Sequence, residues 1–186
     1  IRSVQKYRAL KANSKVAYAL IKSGEYYETS LEDSSILFGN KDAKMRVTIL
    51  SNPHCNPCAR MHKRVENLLQ ISDQAICVQY IFSSFNKELE DSSRYLIYKY
   101  FGNTQDKALK EFDLWYSKEK YEYNSILRRN STLIYTKMIE TEMAKHEKWR
   151  KRTSLIETPT ILVNGYKLPK EYSIEDLAML TSCNII

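Results

Sequence analysis

Cys55-Asn56-Pro57-Cys58 is the stretch of this sequence whose residue types and spacing point most directly to chemistry. Thiols two residues apart can close a small disulfide ring with little rearrangement, and they can also hold a soft metal ion. The pair stands where a β-branched run ending in Asn52-Pro53, a turn signal, gives way to the helical spacing of Ala59, His62, Val65 and Leu69. A sulfur at such a helix N-terminus meets unpaired backbone N–H groups and the positive end of the helix dipole, which favour an anion by about 0.3–2 kcal/mol. Because the thiolate is the form that attacks a disulfide, Cys55 is the candidate nucleophile and Cys58, one turn deeper, the resolving thiol. Pro57, in the first turn, loses no helical hydrogen bond and stiffens the loop.

His54, just before the pair, could stabilise a thiolate as an imidazolium, with Arg60, His62 and Lys63 adding positive charge along the helix. The plainer reading leaves these as solvated or packed side chains. Metal binding is the weaker interpretation of the cysteines. A zinc ribbon needs a second pair, whereas Cys77 and Cys183 are isolated. A mononuclear zinc or copper(I) site would have to be drawn from His54, Cys55, Cys58 and His62. The redox reading calls for no metal and no cofactor beyond the two sulfurs.

Thr158-Pro159 supplies the second signal, opening the apolar run TILVN over residues 160–164. Proline at the mouth of a strand that otherwise looks central is unexpected, because it cannot donate to the ladder. A cis Thr158–Pro159 bond, turning the chain tightly beside the cysteine loop, would explain it.

Other elements must bring these segments together. Residues 35–39 and 45–51 have the composition of strands, residues 75–83 that of a buried strand, and Gly165 separates residues 160–164 from a short strand ending at Leu168. Residues 86–153, rich in Lys, Glu and Tyr, accommodate three helices. One is capped by Thr104 ahead of Ala108, Leu109, Phe112 and Trp115, and a long one runs from near Ser125 to Arg152. Ser173, with Asp176 three residues on, opens a final helix in the capping-box pattern. A parallel crossover, a helical block and an antiparallel hairpin make an α/β domain.

The net charge of +7 is concentrated at one end. Residues 1–24 hold six bases and no acid, in a segment from Ser3 to Ile21 with the rhythm of one short basic helix. The rest, with 23 bases against 22 acids, is near neutral, so the basic stripe of a nucleic-acid-binding face is not expected. No apolar run is long enough to span a membrane, and no signal peptide is visible. A chain starting at Ile1 leads us to expect a fragment or processed product with a targeting or membrane segment upstream. The basic helix would then be a tether near anionic lipid or simply a helix packed on the domain.

The order strand, SNPHCNPCARMH helix, strand, helical block and TPTILVNGYKLP resembles thioredoxin-like proteins of the disulfide-bond (Dsb) type. More narrowly, GNKDAKMRVTILSNPHCNPCARMH and IETPTILVNGYKLPKEYSIEDL are similar to the thioredoxin-like domain fused behind a vitamin K epoxide reductase-like membrane domain in some bacteria. The resemblance implies a thioredoxin-like fold over residues 34–186, behind a basic helix and linker over residues 1–33. A helical insertion over about residues 86–153 would separate the two halves of its sheet. Cys55 would attack, Cys58 would resolve, and Pro159 would be a cis-proline facing them. Thr158 would offer its backbone to an extended substrate segment beside Pro57 and Pro159.

The implied activity is thiol-disulfide exchange with cysteine-bearing proteins, in the oxidative direction. A membrane partner of the vitamin K epoxide reductase type would re-oxidise the pair and pass electrons to a quinone. A reductase or isomerase would use the same residues. The implied location is extracytoplasmic, in the periplasm, tethered to or fused with a membrane protein. Two positions depart from the pattern: Ile49 stands where thioredoxins carry a buried acid, and Lys63 where such domains often have proline. Cys77 is expected to be a buried, inert thiol, with a Cys77–Cys183 disulfide as the alternative.

Overall fold

In the computed structural model, which describes residues 2–181, the chain begins with α1 (Arg2–Ala12), α2 (Ser14–Lys22), β1 (Leu37–Gly39), β2 (Met45–Ser51), α3 (Asn56–Ile71) and β3 (Ile76–Phe82). It continues through α4 (Glu90–Phe101), α5 (Gln105–Ser117), α6 (Tyr123–Arg129), α7 (Lys137–Thr153), β4 (Thr160–Val163), β5 (Tyr166–Lys167) and α8 (Asp176–Leu180). Cys183, and with it any disulfide to Cys77, lies outside the described residues.

β2 and β3 pair in parallel from Met45↔Ile76 to Ser51↔Phe82 and lie at the sheet centre, in the order β1-β3-β2-β4-β5. Being covered on both faces, they carry near-continuous apolar runs rather than an alternating pattern. β1 runs antiparallel to β3, and β4 and β5 return antiparallel beside β2. One face of the sheet, through Phe38, Val47, Ile49, Val78 and Tyr80, packs on α3 and the helical insertion, where Phe112 and Trp115 are fully buried. On the other face Leu50, Ile81 and Leu162 pack on Trp149 of α7. Each large apolar side chain buried in this way contributes about 1.5–3 kcal/mol of transfer free energy before the entropy cost of ordering it.

Several boundaries differ from those expected. The basic segment is two helices, because the Asn13 side chain accepts the N–H groups of Lys15 and Val16 at 3.0 and 3.2 Å and starts α2 afresh. α1 buries no residue, whereas α2 buries Ala17 and Ile21. The insertion contains four α-helices rather than three. The long helix expected from Ser125 to Arg152 is interrupted after Arg129, where the Asn130 side chain bonds back to the Ile126 carbonyl. Thr136 then caps α7 through its hydroxyl. Thr104 occupies the N-cap of α5 but makes no capping hydrogen bond through its side chain. α8 begins at Asp176, whose carboxylate reaches back to accept the Ser173 N–H at 2.7 Å, one half of the expected capping box, while the Ser173 hydroxyl donates to the same carboxylate rather than accepting a helical N–H.

Residues ahead of the first strand are attached to the last ones. Tyr27 donates its N–H to Gly165 at 2.7 Å, and Lys167 donates to Glu25 at 2.9 Å, which extends the β5 edge. Gly165 has φ +88°, and a Cβ there would come within 2.6 Å of the Tyr26 ring. Arg152 of α7 grips Asp33 at 2.8 Å.

Candidate active site

The turn after β2 is built by Asn52. Its side chain accepts the His54 N–H at 2.9 Å, and its carbonyl accepts the Cys55 N–H at 3.1 Å. Trp115 of α5 holds the same turn by donating its indole N–H to the Pro53 carbonyl at 2.9 Å. Cys55 emerges as the N-cap of α3 in extended conformation, with Sγ accepting the Cys58 N–H at 3.2 Å. Pro57 sits in the first turn, exposed to solvent. The two sulfurs are 2.6 Å apart, near enough to join with a small shift towards the disulfide distance of about 2.05 Å.

Burial distinguishes the two thiols. Cys55 is 5% exposed at the mouth of the helix, and Cys58 is 1% exposed beneath it. Burial, followed by the adjacent Cys55 sulfur, pushes the Cys58 thiol up to about 12. Cys58 is therefore a protonated thiol near neutrality when the pair is reduced, while Cys55, also buried, is the slightly more accessible of the two.

The start of β4 closes the site. The Thr158–Pro159 peptide is cis, and the Thr158 carbonyl lies 3.5 Å from Cys55 Sγ. The Thr160 hydroxyl donates to the Glu157 carbonyl at 2.7 Å and fixes this turn. Thus Cys55, Cys58, Pro57, Thr158 and Pro159, named from two distant stretches of sequence, meet at one place.

The charges expected along the helix do not gather there. His54 is half-buried, its ring edge-on to Trp115 and Tyr123 and its Nε2 2.7 Å from the Ser92 hydroxyl. Burial, and then the charge of Lys120, lower its pKa, so the imidazolium expected beside the thiolate is disfavoured. His62 is a core residue, with Nδ1 2.9 Å from the Tyr80 hydroxyl, and burial holds it down at about 4. Lys63 is paired with Glu66 at 2.7 Å. Among the described residues, no cluster of three His, Cys or carboxylate donors includes Cys55 or Cys58. The metal site drawn from His54, Cys55, Cys58 and His62 is not assembled, because both rings turn to other partners.

Sequence reasoning missed Lys120. It is only 6% exposed, in the turn between α5 and α6, and its ammonium donates to the Asn56 side chain inside the cysteine motif at 2.7 Å. A lysine in a Lys- and Glu-rich stretch carries no local sign of such a position. Ile49 is buried in β2, and the Tyr116 hydroxyl bonds Ser51 at 2.7 Å. Cys77 is fully buried in β3, and desolvation raises its thiol to about 11, in keeping with an inert core thiol.

Known structures share this architecture. BdbD from Bacillus subtilis superposes with a TM-score of 0.63 at 12% identity, covering 87% of this chain and 98% of its own. The oxidoreductase DsbA from Xylella fastidiosa gives 0.58 at 12% identity, covering 89% and 91%. DsbA from Chlamydia trachomatis gives 0.54 at 13% identity, covering 86% and 94%. At such identities the likeness is one of fold, a thioredoxin-like α/β sheet with helices. No curated protein matches the sequence significantly. The family model described as Thioredoxin matches residues 31–181, which takes in both cysteines, the cis-proline and the whole helical insertion, and the chain therefore belongs to the thioredoxin family.

Proposed function

We propose that this protein is a thiol-disulfide oxidoreductase that donates a disulfide to cysteine-bearing proteins outside the cytoplasm. The observation that carries this reading is the meeting of the Cys55–Cys58 pair with the Thr158 carbonyl at the cis Pro159 peptide. In the oxidised protein a substrate thiolate attacks Cys55 Sγ, the more exposed sulfur. The Cys55–Cys58 bond breaks, a substrate–Cys55 mixed disulfide forms, and Cys58 leaves and takes a proton. A second substrate thiolate attacks the substrate sulfur and expels Cys55. Two electrons pass from two substrate thiols to the pair, leaving a substrate disulfide and a reduced protein.

The exposed Pro57 and the Thr158–Pro159 turn form the face on which an extended substrate segment would lie, with the Thr158 backbone available for strand-like pairing. The oxidative direction is supported by Ile49, an aliphatic residue in place of the acid that assists proton transfer in reductases of this fold. A membrane partner linked to quinone, and a periplasmic location, are supported by the two sequence stretches resembling domains fused to vitamin K epoxide reductase-like proteins. They also fit the oxidising compartment that the reaction requires. No helix among the described residues is long and apolar enough to cross a membrane.

Equilibration with glutathione tests the direction. An oxidising couple that transfers its disulfide stoichiometrically to a reduced, unfolded protein is expected. A strongly reducing couple would overturn donation in favour of a reductase, and loss of neither activity in a Cys55→Ser, Cys58→Ser double variant would overturn both.

A further inference from the structure

We infer that His62 and Glu66 of α3, with Asp113 of α5, form a site for one zinc-class divalent cation where the two helices pack. Among the described residues, their donor atoms all lie within 4.8 Å of one another. His62 and Glu66 are four apart on a helix, so both project to the same side. A second observation points to a ligand. His62 is 1% exposed, yet its Nε2 has no hydrogen-bond partner, and the Glu66 Oε2 is buried with only the Lys63 ammonium beside it, 2.7 Å away. The Leu109 carbonyl also faces the His62 ring as an acceptor and partly offsets the burial that lowers its pKa, but its geometry falls short of a full hydrogen bond to Nε2, so the ion would have to displace this weak contact.

The second ring nitrogen is already placed for metal binding. Nδ1 lies 2.9 Å from the Tyr80 hydroxyl, and in the tautomer that donates a proton there, which metal binding would select, the Nε2 lone pair is free. One imidazole nitrogen and two carboxylates suit zinc or cobalt(II) better than the all-oxygen shells of calcium and magnesium, and leave a position for water. Ligand bonds of about 2.0–2.2 Å require the donors to close to about 3.4 Å from one another. The two carboxylates, only partly buried, can make that adjustment. Lys63 now balances their charge, 3.7 Å from Asp113 as well as near Glu66, and its exposed side chain can swing out to admit the ion.

The test uses protein oxidised with oxidised glutathione and then freed of it, so that Cys55 and Cys58 are joined and cannot take the ion. Zinc titrated calorimetrically should bind at one per chain, and cobalt(II) should give visible absorption bands at the same stoichiometry. Glu66→Gln with Asp113→Asn, confirmed as folded by circular dichroism, should weaken binding at least tenfold. Lys63→Met, which removes the competing ammonium, should tighten it severalfold. Saturable binding in neither the wild type nor Lys63→Met, or binding that the carboxylate pair leaves within twofold, would overturn the site. Neither readout depends on redox activity, so the outcome stands apart from the proposed exchange reaction.

Discussion

The sulfur of Cys55 lies 3.5 Å from the carbonyl oxygen of Thr158, a residue 103 positions along the chain. That contact brings the cysteine pair and the proline turn together at one place. Replacing Cys58 with Ala should therefore accumulate mixed disulfides on Cys55, seen as slow-migrating species on non-reducing gels. Cys55→Ala should trap far fewer, because Cys58 is buried and its thiol stays protonated. Equal trapping by both variants would contradict the assignment of Cys55 as the attacked sulfur.

Lys120 brings a positive charge to the Asn56 side chain at 2.7 Å. Lys120→Met removes both the hydrogen bond to Asn56 and the charge facing the His54 ring. The same change should raise the His54 pKa part of the way back, because burial, the larger cause of its lowering, remains. The His54 ring resonances, followed through a pH titration, provide the check. An unmoved His54 would mean that Lys120 is screened from the site.

Trp115 ties α5 to the active-site turn through the Pro53 carbonyl. Trp115→Phe preserves most of the packing but leaves that carbonyl without its donor, at a cost of about 1–3 kcal/mol in unfolding free energy. Exchange with substrate should slow together with the loss of stability, because the same bond positions the turn carrying Cys55. A variant as stable and as active as the wild type would remove this role.

His146 is completely buried in α7. Its Nδ1 accepts the Phe82 N–H at 3.2 Å, which requires that nitrogen to be unprotonated, while Nε2 lies near Ser34 and Glu142. Burial lowers its pKa despite Glu142, with Arg150 and Lys145 opposing the proton further. The unfolded chain gains a proton below about pH 6.5 that the folded chain refuses. The stability associated with neutral His146 is thus complete above that pH and is lost as pH falls below it. Glu142 adds a second loss at lower pH. Although burial works against it, hydrogen bonds from His146 and the Ser35 N–H hold its carboxyl down to about 2. The urea midpoint should fall between pH 7 and 5. His146→Gln should be less stable at pH 7 by about 1–3 kcal/mol and lose less over that interval. An identical pH slope in the two proteins would rule the histidine out as its source.

Much of the fold could be read from residue order alone. β2 was bounded at Met45 and Ser51 by its β-branched run, β3 by an apolar stretch, and the insertion by the change to Lys-, Glu- and Tyr-rich composition after Ser83. Helix breaks were less legible. The Asn13 side chain starts a new helix by accepting two backbone N–H groups, and that of Asn130 ends one by donating to a backbone carbonyl, a local competition that apolar periodicity does not register.

By itself the sequence determined where the candidate site's parts lie along the chain: a cysteine at a helix mouth is placed by local backbone, and a proline before a strand marks its own turn. Only the tertiary structure decided what surrounds them. His54 became a half-buried ring whose pKa is lowered, His62 a core residue with an Nε2 lacking a full hydrogen bond, and Lys120 the cation at the motif. Charge and burial at a point in space depend on residues far apart in the chain, and short-range spacing holds no record of which of them will meet.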